Sequence, residues 1–364
     1  MPLVFVNLLQ YTGTKGGIEV YVRELYSALG QHDNEFEFVG FASSELMRQD
    51  HSWFPGRMIA SGISGENRIS WAFGELFTVA RAAERERADL IHGPATLGPL
   101  WPKAPVVLTV HDLLYFTHPQ LMRTRLFTGP VKWMEKRAAA KAERVVAISE
   151  VTAAAVRKYL KFDASRIDLI FQAGRKSTVD SGDIVREKDL FISVGQRSPY
   201  KGFETVVRAW AEIPVGRRPR LIITGSHGDD PLIPLVRELK LEGSVELRSW
   251  IPTEELNRLF LTATVLIDPT LAAGSSLPTL ESMNIGLPVL LSDIPVFREV
   301  GADAAEYFTA HDPVDLAQAV LQLAGSPARQ AELSALGRER AKLFSWERVA
   351  TQTLDSFRKA LAES

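Results

Sequence analysis

The sequence predicts an α/β protein of two doubly wound domains facing each other across a cleft. Three observations carry this. Short apolar runs alternate with helical stretches along the whole chain, the pattern of βαβ units with right-handed crossovers. Several runs are continuous in Val, Ile and Leu rather than alternating, as suits parallel strands covered on both faces. The alternation breaks once, at residues 174–187, where turn residues without periodicity read as a linker and a fresh strand follows.

The strands expected in order are Leu3–Leu9, Phe36–Phe41, Asp89–His92, Val106–Val110, Arg144–Ile148 and Ile167–Phe171, then Leu190–Val194, Leu221–Thr224, Val245–Leu247, Thr264–Ile267, Pro288–Leu291 and Ala305–Phe308. This gives a first domain over 1–174, a linker over 175–188 and a second domain over 189–345. A terminal helix over 346–364 is expected to pack back toward the first domain.

A length of 364 residues suits two domains at roughly 100–200 residues each. With 46% hydrophobic and 24% charged residues the chain is globular, and disordered or fibrous classes are excluded. A formal charge of −2 argues against a dedicated nucleic-acid binder. The absence of cysteine excludes disulfides and thiolate-bound metals. We expect no signal peptide, since the apolar Met1–Leu9 lacks a basic n-region and a small-residue cleavage site, and no membrane span, since no apolar run approaches ~18 residues.

In doubly wound sheets ligands bind beyond the carboxyl ends of the strands, so the loops after the strands are the candidates. After the first strand, Gln10 to Gly17 is glycine-bearing and opens a helix near Ile18, which suits close approach to an anion. After Val106–Val110 comes His111-Asp112, placed for a cleft or else held by its neighbouring loop. The seven histidines show no metal spacing. Gly195 to Gly202 carries Arg197 and Lys201, two cations able to converge on one diphosphate, or a plain solvated turn. Asp268 to Glu281 runs from a strand end through small residues to Pro278, where a helix should begin and aim its dipole at a ligand. Glu281, one turn in, suits a vicinal diol or serves as a dipole partner.

Together these segments resemble the retaining nucleotide-sugar glycosyltransferases of family 4, with the GT-B fold of two Rossmann-like domains. The resemblance runs from Gly16-Gly17-Ile18-Glu19 through Val110-His111-Asp112-Leu113 with His118-Pro119, Val146 to Glu150 and Val194 to Lys201. It continues in Leu277 to Met283, Gly286-Leu287-Pro288-Val289 and Phe344-Ser345-Trp346-Glu347. Its closest likeness is to the mannosyltransferase-like branch that builds bacterial surface polysaccharides such as the O-antigen of lipopolysaccharide. The resemblance implies that Arg197 and Lys201 hold the donor diphosphate and that Glu281 holds the ribose. Gly17 would bring backbone to the phosphates, and Gly274, Ser275, Ser276 and Leu277 would line the donor site. His111 would face the reacting sugar, with Gly16, His111 and Asp112 toward the acceptor. It also implies no metal and no cofactor beyond the nucleoside-diphosphate sugar, with GDP-mannose or a GDP-deoxyhexose as the best match, and a glycan or lipid-linked acceptor.

One departure stands out. The family carries E-x₇-E, and the position eight residues before Glu281 is Ala273; Gln196 also stands where many relatives carry Arg. The readings are a donor needing no carboxylate there, a substitute residue, or weak catalysis. The alternatives to a transferase are a silent sugar-nucleotide binder and a sugar-nucleotide epimerase of the same architecture. Finally, residues 123–144 hold seven basic residues (Arg123, Arg125, Lys132, Lys136, Arg137, Lys141, Arg144) against Glu135 and Glu143. Leu126, Phe127, Val131, Trp133 and Met134 are interleaved. This pattern suits either the surface of an anionic bilayer, with the protein cytoplasmic at the inner face of the membrane, or a surface helix packed on its own core.

Overall fold

The computed structural model describes residues 1–14, 16–32, 35–122, 125–175 and 186–364. The chain forms two compact units. The first comprises Met1–Pro119, Thr124–Gln172 and Ser345–Ser364, and the second Gln120–Arg123 and Ala173–Phe344. Gly174 therefore lies with the second unit rather than the first. Residues 176–185 of the expected linker lie outside the described residues. Arg186, at its end, is no solvated linker residue: its guanidinium donates to the carbonyls of Phe260, Leu261, Ala263 and Ile285.

The first unit holds seven parallel strands: β1 (Leu3–Leu8), β2 (Glu37–Ala42), β3 (Arg57–Ala60), β4 (Leu90–Gly93), β5 (Val106–Val110), β6 (Arg144–Ala147) and β7 (Ile167–Leu169). Their order is β3-β2-β1-β4-β5-β6-β7, so the winding reverses between β1 and β4. Strand β3 was not expected from the sequence. Arg57-Met58-Ile59-Ala60 is a four-residue edge strand paired only with β2 and exposed at both ends, so it never shows a core strand's apolar run.

The second unit holds β8 (Leu190–Val194), β9 (Arg220–Ser226), β10 (Val245–Ser249), β11 (Val265–Asp268), β12 (Val289–Ser292) and β13 (Glu306–Phe308). The order β10-β9-β8-β11-β12-β13 is again all parallel and reverses between β8 and β11. Its core joins Phe191, Ile223 and Ile267 from the strands to Val206, Trp210, Leu316 and Val320 from covering helices. The reversal leaves a crevice beyond the carboxyl ends of β8 and β11, which puts Gly195–Lys201 and the loop after Asp268 side by side.

The terminal helix Trp346–Glu363 packs within the first unit, against the helix Gly17–Leu29 and strands β4 to β6. Its buried positions Val349, Ala350, Thr353, Leu354, Phe357 and Ala360 recur at helical spacing, and Ser345 caps its first turn. Buried Arg144 fastens it: the guanidinium donates to Asp168 at 2.8 and 2.9 Å and to Glu363 at 2.7 Å, while Ser356 and Lys359 reach the same Asp168.

Candidate active site

In the second unit the loop after β8 turns Arg197 inward. Its Nε and Nη2 donate to the Asp230 carboxylate at 3.0 and 2.8 Å. Nη1 donates to the carbonyls of Gly195 and Thr224, and Nη2 also to that of Ile223. The two side chains of this ion pair are only 4% and 7% exposed, and the guanidinium lies over the Phe203 ring at 4.8 Å. All five N–H donors of the fork are thus engaged inside the fold. The expectation that Arg197 joins Lys201 on a diphosphate is corrected accordingly. Arg197 ties the ends of β8 and β9 to the Asp230 loop, because a buried guanidinium is stable only when paired and fully hydrogen-bonded.

Lys201 goes the other way. It closes the 3₁₀ turn Pro199–Lys201, after which Gly202 adopts φ +66°. A Cβ at Gly202 would stand 2.2 Å from the Pro269 carbonyl oxygen, so only glycine lets this turn lie on the loop after β11. Tyr200 accepts from the Leu271 N–H at 2.8 Å, and Lys201 Nζ comes within 3.4 Å of Thr270 Oγ1.

That loop is organised by Asp268, a residue the sequence reading passed over. Its Oδ1 accepts from Thr270 Oγ1 at 2.5 Å and Thr270 N–H at 3.2 Å; its Oδ2 accepts from Ser276 Oγ at 2.6 Å and Thr279 Oγ1 at 3.3 Å. Ser276 also caps the helix Leu277–Asn284 by accepting from the Thr279 N–H, with Pro278 in the first turn. The Ser276 hydroxyl, expected among the donor-binding groups, is therefore committed to the loop itself. Gly274 and Leu277 are buried beside it and Ser275 is partly exposed. Glu281, 7% exposed, is paired with Arg175 at 2.6 Å.

In the first unit, Glu19 shapes the loop after β1: its Oε1 accepts from the Thr12 N–H at 2.5 Å, Thr12 Oγ1 at 3.1 Å and the Gly13 N–H at 3.0 Å. Gly16 at φ +70° then turns the chain into the helix that starts at Gly17. One turn on, Tyr21 packs edge-on to His111, with centroids 4.7 Å apart. His111 follows β5, is 8% exposed, and its Nε2 lies 2.8 Å from the Pro94 carbonyl. A carbonyl can only accept, so Nε2 carries the proton and Nδ1 is a bare acceptor. Burial lowers its pKa to about 4 against the opposing pull of Pro94, so the ring is neutral near pH 7 and cannot serve as a general acid there. Asp112 caps the following turn, accepting from the Leu114 N–H at 3.1 Å.

The basic helix is Arg125–Ala139; Arg123 and the side chains of Arg125, Leu126 and Phe127 lie outside the described residues. Trp133 is 47% exposed, but Met134 is buried, and the Lys132 and Lys136 ammoniums lie over the Phe116 ring at 5.3 and 5.6 Å. Between them sits Glu135, 6% exposed, with Oε2 buried and without a hydrogen-bond partner among the described residues. Burial pushes its pKa up to about 8, the nearby Asp112 charge adding to this and Lys132 opposing it. Its carboxyl is thus mostly protonated at neutral pH.

The unfolded chain releases this proton near pH 4.5 and the folded chain only near 8, so folding is opposed increasingly across that window. Glu135→Gln removes the penalty. Its stability gain over wild type should be near zero below pH 4.5 and reach at most about 3 kcal/mol by pH 7. Denaturant unfolding of both proteins from pH 4.5 to 8 measures this; a gain that does not grow with pH would contradict the protonated state.

Comparison with known proteins places these loops in a wider setting. The model described as Glycosyltransferase Family 4 matches residues 15–172, and that described as Glycosyl transferases group 1 matches residues 175–340. The chain is 27% identical to O-antigen chain mannosyltransferase B of Escherichia coli, over 69% of this chain and 70% of that protein. It is likewise 27% identical to the MMP alpha-(1->4)-mannosyltransferase of Mycolicibacterium hassiacum, over 71% of this chain and 66% of that one. In structure it is similar to sucrose-phosphate synthase from Thermosynechococcus elongatus, with a TM-score of 0.77, 21% identity and full coverage of both chains. It is also similar to HepE of Anabaena in complex with UDP-glucose, with a TM-score of 0.74 and 15% identity over 99% of this chain and 100% of the other.

Proposed function

This chain belongs to the family 4 glycosyltransferases of the GT-B fold, and from that premise we propose that it moves a sugar from a nucleoside-diphosphate sugar to a hydroxyl of a glycan or lipid-linked acceptor, retaining the anomeric configuration. The observation that carries the reading is the crevice beyond β8 and β11, where Lys201 in the loop after β8 adjoins the loop after β11 that leads into the capped helix bearing Leu277 and Glu281. Lys201 stabilises the diphosphate as it leaves, the helix N-terminus offers it amides and a positive dipole end, and Glu281 accepts from the ribose hydroxyls. Gly274, Ser275 and Leu277 border the donor within the second unit.

In the reaction, the bond from the sugar's anomeric carbon to the diphosphate oxygen breaks. The acceptor oxygen bonds to that carbon on the same face, and the acceptor proton passes to the departing diphosphate. Neutral His111 takes no proton in this scheme and, with Gly16 and Asp112 in the first unit, serves the acceptor. The charge on the diphosphate is met by Lys201 and backbone amides without a metal. The donor in this reading is GDP-mannose or a GDP-deoxyhexose and the setting surface-polysaccharide synthesis; the mannosyltransferase names of two relatives, one of them for the O-antigen chain, support a mannosyl donor and that setting. No helix among the described residues is long and apolar enough to cross a membrane, and the exposed Trp133 beside Arg137 supports peripheral contact with an anionic leaflet.

A second reading, binding with little turnover, is favoured by two features: Arg197 is turned away from the crevice, and Ala273 stands in place of a carboxylate. Incubation with GDP-, UDP- and dTDP-sugars and candidate acceptors separates the two. Release of nucleoside diphosphate with a glycoside of unchanged anomeric configuration is the expected result. Tight binding with no release would favour the second reading, and an inverted product would overturn the retaining mechanism.

A further inference from the structure

Gly174 and Arg175, near the start of the second unit's main segment, are built onto the proposed nucleoside site. A Cβ at Gly174 would stand 2.6 Å from the Glu281 nitrogen and 2.7 Å from the Leu280 carbonyl carbon, so glycine alone lets the backbone rest on the helix Leu277–Asn284. That close approach delivers Arg175 to Glu281. Nε donates to Oε1 at 2.6 Å and Nη2 reaches Oε2 at 3.4 Å, with the side chains 23% and 7% exposed.

Each carboxylate oxygen has two acceptor positions, and the Arg175 fork occupies one on each. The fork therefore fixes the plane of the carboxylate and leaves the remaining lone pairs in a fixed direction. A vicinal diol donating two hydrogen bonds needs such a fixed pair of acceptors, since a carboxylate free to rotate would have to be ordered at the moment of binding. The guanidinium also offsets the repulsion between Glu281 and an approaching diphosphate.

We propose that Arg175 is a positioning residue which, by fixing Glu281, makes this site select ribonucleotides over their 2′- and 3′-deoxy counterparts; this rests on the reading of Glu281 as the ribose acceptor. The consequence for substrate class is direct: GDP- and UDP-sugars fit the site and dTDP-sugars, which lack the 2′-hydroxyl, do not.

The test measures affinities of the full chain for GDP, 2′-deoxy-GDP and 3′-deoxy-GDP, and for the corresponding uridine diphosphates, by calorimetry. Wild type should prefer the ribonucleotide roughly 10–100-fold, the worth of a hydrogen bond to a charged group. In Arg175→Ala that ratio should fall to within about threefold of unity, while affinity for the deoxynucleotides changes by less than about twofold. Arg175→Lys, which keeps the charge but not the fork, should fall between. Glu281→Ala should lose the ratio altogether. If Glu281→Ala loses the preference and Arg175→Ala keeps it, the positioning role is overturned and the reading of Glu281 stands. If Glu281→Ala keeps the preference, the reading of Glu281 fails and the proposal with it. Equal weakening of ribo- and deoxynucleotides in Arg175→Ala would mark a merely structural or phosphate-binding role and overturn the proposal, with Arg175→Lys deciding the matter should the alanine variant not fold.

Discussion

Arg197→Ala is expected to destabilise the second unit by about 3–5 kcal/mol, the cost of leaving a buried charge without its partner. Asp230 would remain almost fully buried, and three carbonyls, of Gly195, Ile223 and Thr224, would lose a donor at the same time. Loss of turnover in this variant would follow from loss of fold. The double variant Arg197→Ala, Asp230→Ala should recover part of the stability, because the stranded charge is gone, while Arg197→Lys should recover less than the native fork supplies. Thermal and denaturant unfolding of the four proteins checks this. A well-folded Arg197→Ala protein with abolished turnover would instead return Arg197 to the diphosphate.

Lys201→Ala should have the opposite profile. Lys201 is partly exposed, its ammonium lying 3.4 Å from Thr270 Oγ1 and 5.8 Å from the Tyr200 ring centroid, and among the described residues no buried carboxylate pairs with it. Stability should change by less than about 1 kcal/mol. Turnover should fall roughly 10²–10³-fold, the usual cost of deleting one preorganised electrostatic stabiliser of developing charge. Because Arg197 is engaged elsewhere, it cannot take over. Lys201→Arg should retain intermediate activity, as a fork in place of a point charge meets the same anion in different geometry. Steady-state kinetics on the best donor, set beside unfolding curves, tests the pair of expectations; turnover within tenfold of wild type would remove Lys201 from the leaving-group site.

Much of the fold was legible in the sequence because parallel strands buried on both faces must be written as apolar runs. Phe191-Ile192 and Val265-Leu266-Ile267 could hardly be anything else. The helix start before Glu281 was legible from Pro278, since a proline after a small-residue loop suits a helix's first turn. The edge strand Arg57–Ala60 was not, because half-exposed residues answer to solvent as much as to the core. Nor was Asp268: one carboxylate between a strand and a small-residue loop reads the same whether it meets a ligand or, as here, the hydroxyls of Thr270, Ser276 and Thr279.

The sequence by itself determined the order of the buried strands and the loops that carry polar groups, since these depend on local periodicity and on backbone limits such as glycine and proline. Only the tertiary structure decided which way each charged side chain turns. Arg197 and Lys201 are four residues apart in one loop. One is drawn into the fold by Asp230, 33 positions on, and the other lies on the loop after β11. Arg175 and Glu281 meet across 106 positions. A long side chain has a choice of partners that near neighbours do not restrict, and the choice falls to whichever opposite charge or carbonyl the packed chain brings within about 3 Å in a site poor in water.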